Sequence, residues 1–82
     1  MRVSSYKDDP GYRRWYEAMG AGKTVHVFLN GEEVQKCTLA DDGEGFVQRC
    51  VLDAEGNAQI DPNDPERIWE ERVEGDVRIV IA

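Results

Sequence analysis

The chain has 82 residues, enough for one domain with a small core. Hydrophobic residues make up 40% and charged residues 33%, a balance that suits a folded soluble domain and not a disordered tail. A net charge of −7 and a pI near 4.5 argue against direct binding to nucleic-acid phosphate. No apolar run approaches the ~18–20 residues of a membrane span.

Met1 to Asp8 carries little pattern and no hydrophobic leader; it reads as an N-terminal arm without a secretory signal. The rest, 9–82, reads as a single small β-rich domain. Asp9-Pro10 predicts a helix start, with Asp as the cap and Pro at the first helical position. Gly20 predicts its end, so the helix spans about 10–19. Tyr12, Trp15, Tyr16 and Met19 fall at i, i+3, i+4 and i+7 and share one face, with Arg13, Arg14, Glu17 and Ala18 on the other side. A helix this short is not stable alone in water. Its aromatic face either covers the sheet or is offered to another protein, since Tyr and Trp are favoured at interface hot spots.

Gly22-Lys23-Thr24 ends like a phosphate-binding loop, but position 17 is Glu where that loop needs Gly. The order is also helix then strand, the reverse of what places helix amides on phosphate, so this is a connector.

From Lys23 to Asp53 the chain reads as an antiparallel meander, with strands at about 24–29, 33–40 and 46–52. Asn30-Gly31 is the two-residue hairpin signal, because both turn positions need positive φ. That turn sets Leu29 opposite Glu32 and Val27 opposite Val34, with Val25, Val27, Leu29 and Val34 on the core face. The same register sends Cys37 and Leu39 to the wrong face, which predicts a bulge or lost pairing near Gln35-Lys36. A second turn centred on Gly43 sets Leu39 opposite Gln48 and Cys37 opposite Cys50, neighbours at ~4.5–5.5 Å. Two cysteines without a leader read as reduced thiols of a cytoplasm, with a cross-strand disulfide as the alternative. One Cys pair and the single histidine, His26, do not complete a zinc set, and no metal or cofactor is expected.

Asp53 to Asn57 predicts a turn, Ala58 to Ile60 a short return strand, and Asp61 to Pro65 a loop. Oxygen ligands are dense from Asp53 to Glu66, but the spacing fails the EF-hand pattern. Strands follow at about 67–73 and 77–81, joined as a hairpin by Glu74-Gly75-Asp76. Trp69 lies on the first of them and is expected beneath the helix or at a sheet edge. The fold class is therefore mainly β (α+β): an antiparallel meander of five or six strands with one short N-terminal amphipathic helix. It either stays an open sheet or curls into a small barrel.

No nucleophile elbow, zinc-protease motif or nucleotide fingerprint occurs, and the chain is expected to be non-enzymatic. The segments Val25-His26-Val27-Phe28-Leu29-Asn30-Gly31-Glu32-Glu33-Val34, Ala40 to Val47, Asp53 to Asn57 and Gly75 to Ile79 together resemble small proteins of tailed bacteriophages and prophages. The resemblance covers about Thr24 to Ile81. It implies a virion accessory, such as a head decoration or cement protein, whose partner is a phage shell protein and whose place is the virion or the host cytoplasm. The contact candidates are Tyr12, Trp15, Tyr16, Met19 and Trp69. A second expectation rests on charge: a small acidic inhibitor occupying the basic groove of a host nucleic-acid-binding protein.

Overall fold

A computed structural model describes all residues, Met1 to Ala82. The elements are β1 (Arg2–Ser4), α1 (Tyr12–Gly20), β2 (Val25–Leu29), β3 (Glu32–Glu33), β4 (Cys37–Asp41), β5 (Phe46–Cys50), β6 (Ile60–Asp61), β7 (Asp64–Ile68), β8 (Glu70–Glu74) and β9 (Val77–Ile81). They form three antiparallel sheets, ordered β1-β4-β5-β8, β3-β2-β9 and β6-β7. The fold is mainly β with one short helix, and the sheets do not close into a barrel. No helix is long and apolar enough to cross a membrane.

The Asn30-Gly31 turn forms as its residue types require, with φ of 52° and 86°. Leu29 faces Glu32, and the Val34 amide donates to the Val27 carbonyl at 2.8 Å. Pairing then stops. Lys36 adopts φ 51°, and the chain leaves this sheet for the larger one. The break lies where the facing conflict placed it, but its consequence is larger than a bulge: the expected single meander is divided between two sheets. A register shift between Cys37 and Leu39 keeps Leu39 opposite Gln48 and puts Cys37 opposite Arg49, not Cys50.

The chain also changes sheets at Gly75. The expected hairpin of the last two strands is not one. β8 pairs with β5, whereas β9 pairs with β2. Gly75 is at the corner because a Cβ there would lie 2.8 Å from the Asn30 Oδ1 and 2.9 Å from a Leu29 methyl. The strand expected at 67–73 is likewise split at Trp69 into β7 and β8. Asp61 to Pro65, expected as a loop, is instead a tight hairpin with Pro62-Asn63 at its tip and Pro65 within β7.

The arm expected at the N-terminus is a strand. β1 pairs with β4, and Val3 faces Ala40. Val3, Ala40, Val47 and Val73 form one row across the larger sheet. Val27, Leu29 and Val77 from the second sheet meet that row, and Val25, Val34, Cys37 and Ile79 fill in around it. The other face of the large sheet also hides an aromatic. Phe46 is buried, with the Arg72 guanidinium 3.8 Å and the Arg2 guanidinium 5.5 Å from its ring centre.

Candidate interaction surface

Asp9 and Pro10 begin the approach to α1 but not the helix itself. Asp9 accepts from the Gly11 amide at 2.7 Å, its carbonyl accepts from Tyr12, and helical geometry starts two residues later than the expected position. The expected stop at Gly20 also shifts. Gly20 is the last helical residue, and Gly22 at φ 73° reverses the chain. The Lys23 amide reaches the Ala18 carbonyl and the Gly22 amide that of Met19, the paired bonds of a Schellman end.

The aromatic face divides. Ala18, set opposite the aromatic face by the sequence pattern, is the buried residue of the helix. Trp15 is half-buried and lines a cavity of about 210 Å³ between the sheets with Val3, Val25, Val27 and Leu39. The helix therefore sits on Trp15 and Ala18, and its phase turns Tyr16 and Met19 outward, 62% and 50% exposed. The Tyr12 ring lies between the two zones, 5.7 Å from Trp15 and 5.9 Å from Tyr16, centre to centre. These rings make an aromatic ridge whose base is core and whose crest is open to solvent. Arg13 and Glu17 pair across one turn beside it at 2.9 Å.

Trp69 does not join this ridge. It lies between β7 and β8, where its amide donates to the Gln59 carbonyl and its carbonyl accepts from Val51. Its side chain is at the surface, 37% exposed, as the edge alternative had it. Ile60 and Ile68, a cross-strand pair on the neighbouring hairpin, are also exposed.

The structure also gathers residues that the sequence pattern did not join. The Tyr6 hydroxyl and the Thr38 hydroxyl both donate to the Glu70 carboxylate. Burial, with Glu70 second, pushes the Tyr6 hydroxyl up to about 12. Burial likewise pushes the Cys37 thiol up to about 11, so it stays protonated at neutral pH and is a poor nucleophile or metal ligand. Both cysteines are free. These groups tie the segment after β1 to β4 and β8 and carry no reactive member. Their partners are more than thirty residues apart, and no local motif marks them.

A second tie is ionic. Arg2 bonds Asp9 at 2.8 Å and Asp41 at 3.4 Å. The Arg2 guanidinium holds the Asp9 carboxyl below its usual range, and amides of the following turn, with Arg2, do so for Asp41. His26 points away from the core and meets Glu33 at 3.1 Å. No three His, Cys, Asp or Glu side chains converge into a metal-holding group.

No family model, curated protein or solved structure matches the chain. The ridge on α1 therefore stands on its own physical character. It sets a large apolar area on a helix that is anchored from beneath.

Proposed function

We propose that the protein is a non-enzymatic interaction domain that acts as a virion accessory, a head decoration or cement protein docking on a phage shell protein. The observation that carries this reading is the exposed crest of α1. Tyr16 and Met19 stand in solvent at the end of a row of tilted rings whose base, Trp15, is held by the sheets. Rigid tyrosines lose little conformational freedom on docking, and methionine adapts to an irregular surface, so the pair suits a hot spot. The resemblance over Thr24 to Ile81 supplies the phage context.

The inhibitor alternative draws less support. Asp9, Glu17, Glu33, Asp41, Asp42, Glu71 and Glu74 already face cations or His26 within the chain. Carboxylates already engaged within the chain are less free to stand in for phosphates.

Mass spectrometry of virions purified from producing cells tests the proposal. The protein is expected at stoichiometric copy number, and its absence refutes the assignment. The double variant Tyr16→Ser/Met19→Ser should keep its melting temperature and lose particle occupancy by about thirtyfold, the effect of one ~2 kcal/mol hot spot. Undiminished occupancy would move the contact elsewhere.

A further inference from the structure

The edge strand β9 carries an unused set of hydrogen-bonding groups. Thr24 and Ala82 exchange both backbone bonds, at 2.8 and 3.0 Å. This fixes the phase of the β2–β9 ladder, because bonded and non-bonded pairs alternate along an antiparallel pair. His26/Val80 and Phe28/Arg78 are thus the bonded pairs, and Val27/Ile79 and Val25/Ile81 the non-bonded ones. The amides and carbonyls of Ile79 and Ile81 consequently point away from β2, where the sheet order places no further strand.

The other edges are short or guarded by charge. β1 has three residues, β3 is Glu32-Glu33, and β8 carries Glu70, Glu71, Arg72 and Glu74. β7 contains Pro65. Such features block strand addition. β9 reads Val-Arg-Ile-Val-Ile, with one charge and no proline. Val80, 39% exposed, projects from the solvent face of its sheet next to half-buried Phe28.

We infer that β9 pairs antiparallel with β9 of a second copy of this chain, joining two three-stranded sheets into one continuous sheet across a two-fold axis at Val80. The register follows from the side chains. An axis at Arg78 would oppose two like charges, which is unfavourable. An axis at Ile79 would set each Val80 against the partner's Arg78. An axis at Val80 sets Val80 against the partner's Val80, separates the two arginines, and bonds Ile79 to the partner's Ile81 in both directions. It leaves buried Val77 outside the contact. This interface does not depend on the function assigned to α1.

The test uses the whole chain. Sedimentation velocity across a wide concentration range should show a reversible monomer–dimer equilibrium. Val80→Lys, at an exposed position, should abolish the dimer and melt at the temperature of the dilute wild-type monomer. At the axis the two copies of residue 80 form a non-bonded pair about 4.5 Å apart, within disulfide reach. Val80→Cys should therefore cross-link under mild oxidation through position 80, at least tenfold faster than Arg78→Cys on the same face. A monomer at every concentration, a dimer that survives Val80→Lys, or equal cross-linking at 78 and 80 overturns the inference. The last two outcomes would assign the contact to a different surface or register.

Discussion

Val3→Ala distinguishes a structural first strand from a loose arm. Val3 is 3% exposed and packs in the central cluster with Val27, Leu29, Ala40, Val47 and Val77. The substitution removes two methyl groups, about 0.8 kcal/mol each in transfer free energy. The cavity left among β-branched neighbours adds to that, for a total of about 2–3 kcal/mol. A domain of this length has only ~4–12 kcal/mol in hand. The urea midpoint should fall by about 2 M at a slope near 1 kcal/mol/M, and the melting temperature by about 10–20 °C. Half-buried Trp15, close to Val3 in the inter-sheet cavity, makes intrinsic fluorescence the natural reporter. Val47→Ala, in a fully buried side chain of the same row, should match it. A change under about 0.5 kcal/mol at Val3 is what a surface arm would give. It would refute β1 as part of the core.

Acid sensitivity should follow the Arg2 clamp. Asp9 and Asp41 are held below their ordinary range in the folded chain, so their stabilisation is complete above the unfolded value near 4 and is lost as pH falls through the lower folded values. Melting temperatures between pH 6 and 2 should drop below about pH 4, and less steeply in Arg2→Met; identical acid limbs would dismiss the clamp. Glycine substitutions should have opposite signs. Gly75→Ala collides with Asn30 and Leu29 and should cost ~1–3 kcal/mol, whereas Gly20→Ala meets nothing within 4 Å and should stabilise α1 by ~0.5–1 kcal/mol, both read by urea unfolding. The triple variant Asp53→Asn/Asp61→Asn/Asp64→Asn takes the net charge from −7 to −4. It keeps the oxygen that accepts each turn amide and should lose under ~1.5 kcal/mol of stability. Its virion occupancy should equal wild type; a loss would make those charges part of the contact.

The parts of this fold that could be read from the chain are those decided within a few residues. Asn30-Gly31 fixes a turn and, through it, the facing of Val25, Val27, Leu29 and Val34. The mismatch of that facing with Cys37 and Leu39 foretold the break at Lys36. A turn does not by itself choose the partner of the strand after it, however. Glu74-Gly75-Asp76 suits a hairpin or a corner between sheets, and only the tertiary partners of β8 and β9 decide. β1 was hidden because three residues show no periodicity and their partner is about forty positions away. On α1 the period was readable and the phase was not. Ala18, outside the bulky stripe, is the buried residue of the helix. The bulky stripe therefore tilts, Trp15 goes under, and Tyr16 and Met19 remain outside.

The acidity of the chain has a structural origin that bears on which surface is functional. Asp9, Asp41, Asp53, Asp61 and Asp64 each accept, through Oδ1, the amide two residues ahead. This is one device used at five positions, most of them in or beside turns: an aspartate oxygen takes up a nearby backbone amide. Short strands need many turns, so the excess of aspartate follows from the architecture. Arg2 then draws Asp9 and Asp41 together, and N-terminal Met1 takes Asp42. Once these roles are counted, much of the negative charge has an internal use. The crest of α1 has none. The side chains of Tyr16 and Met19 stabilise no turn and fill no part of the core, yet they stand on a helix held to the sheets through Trp15 and Ala18. Tyr16 and Met19 are the side chains that the proposed docking on a shell protein would cover, and burying them there would recover the cost of exposing them on a helix seated on the sheets.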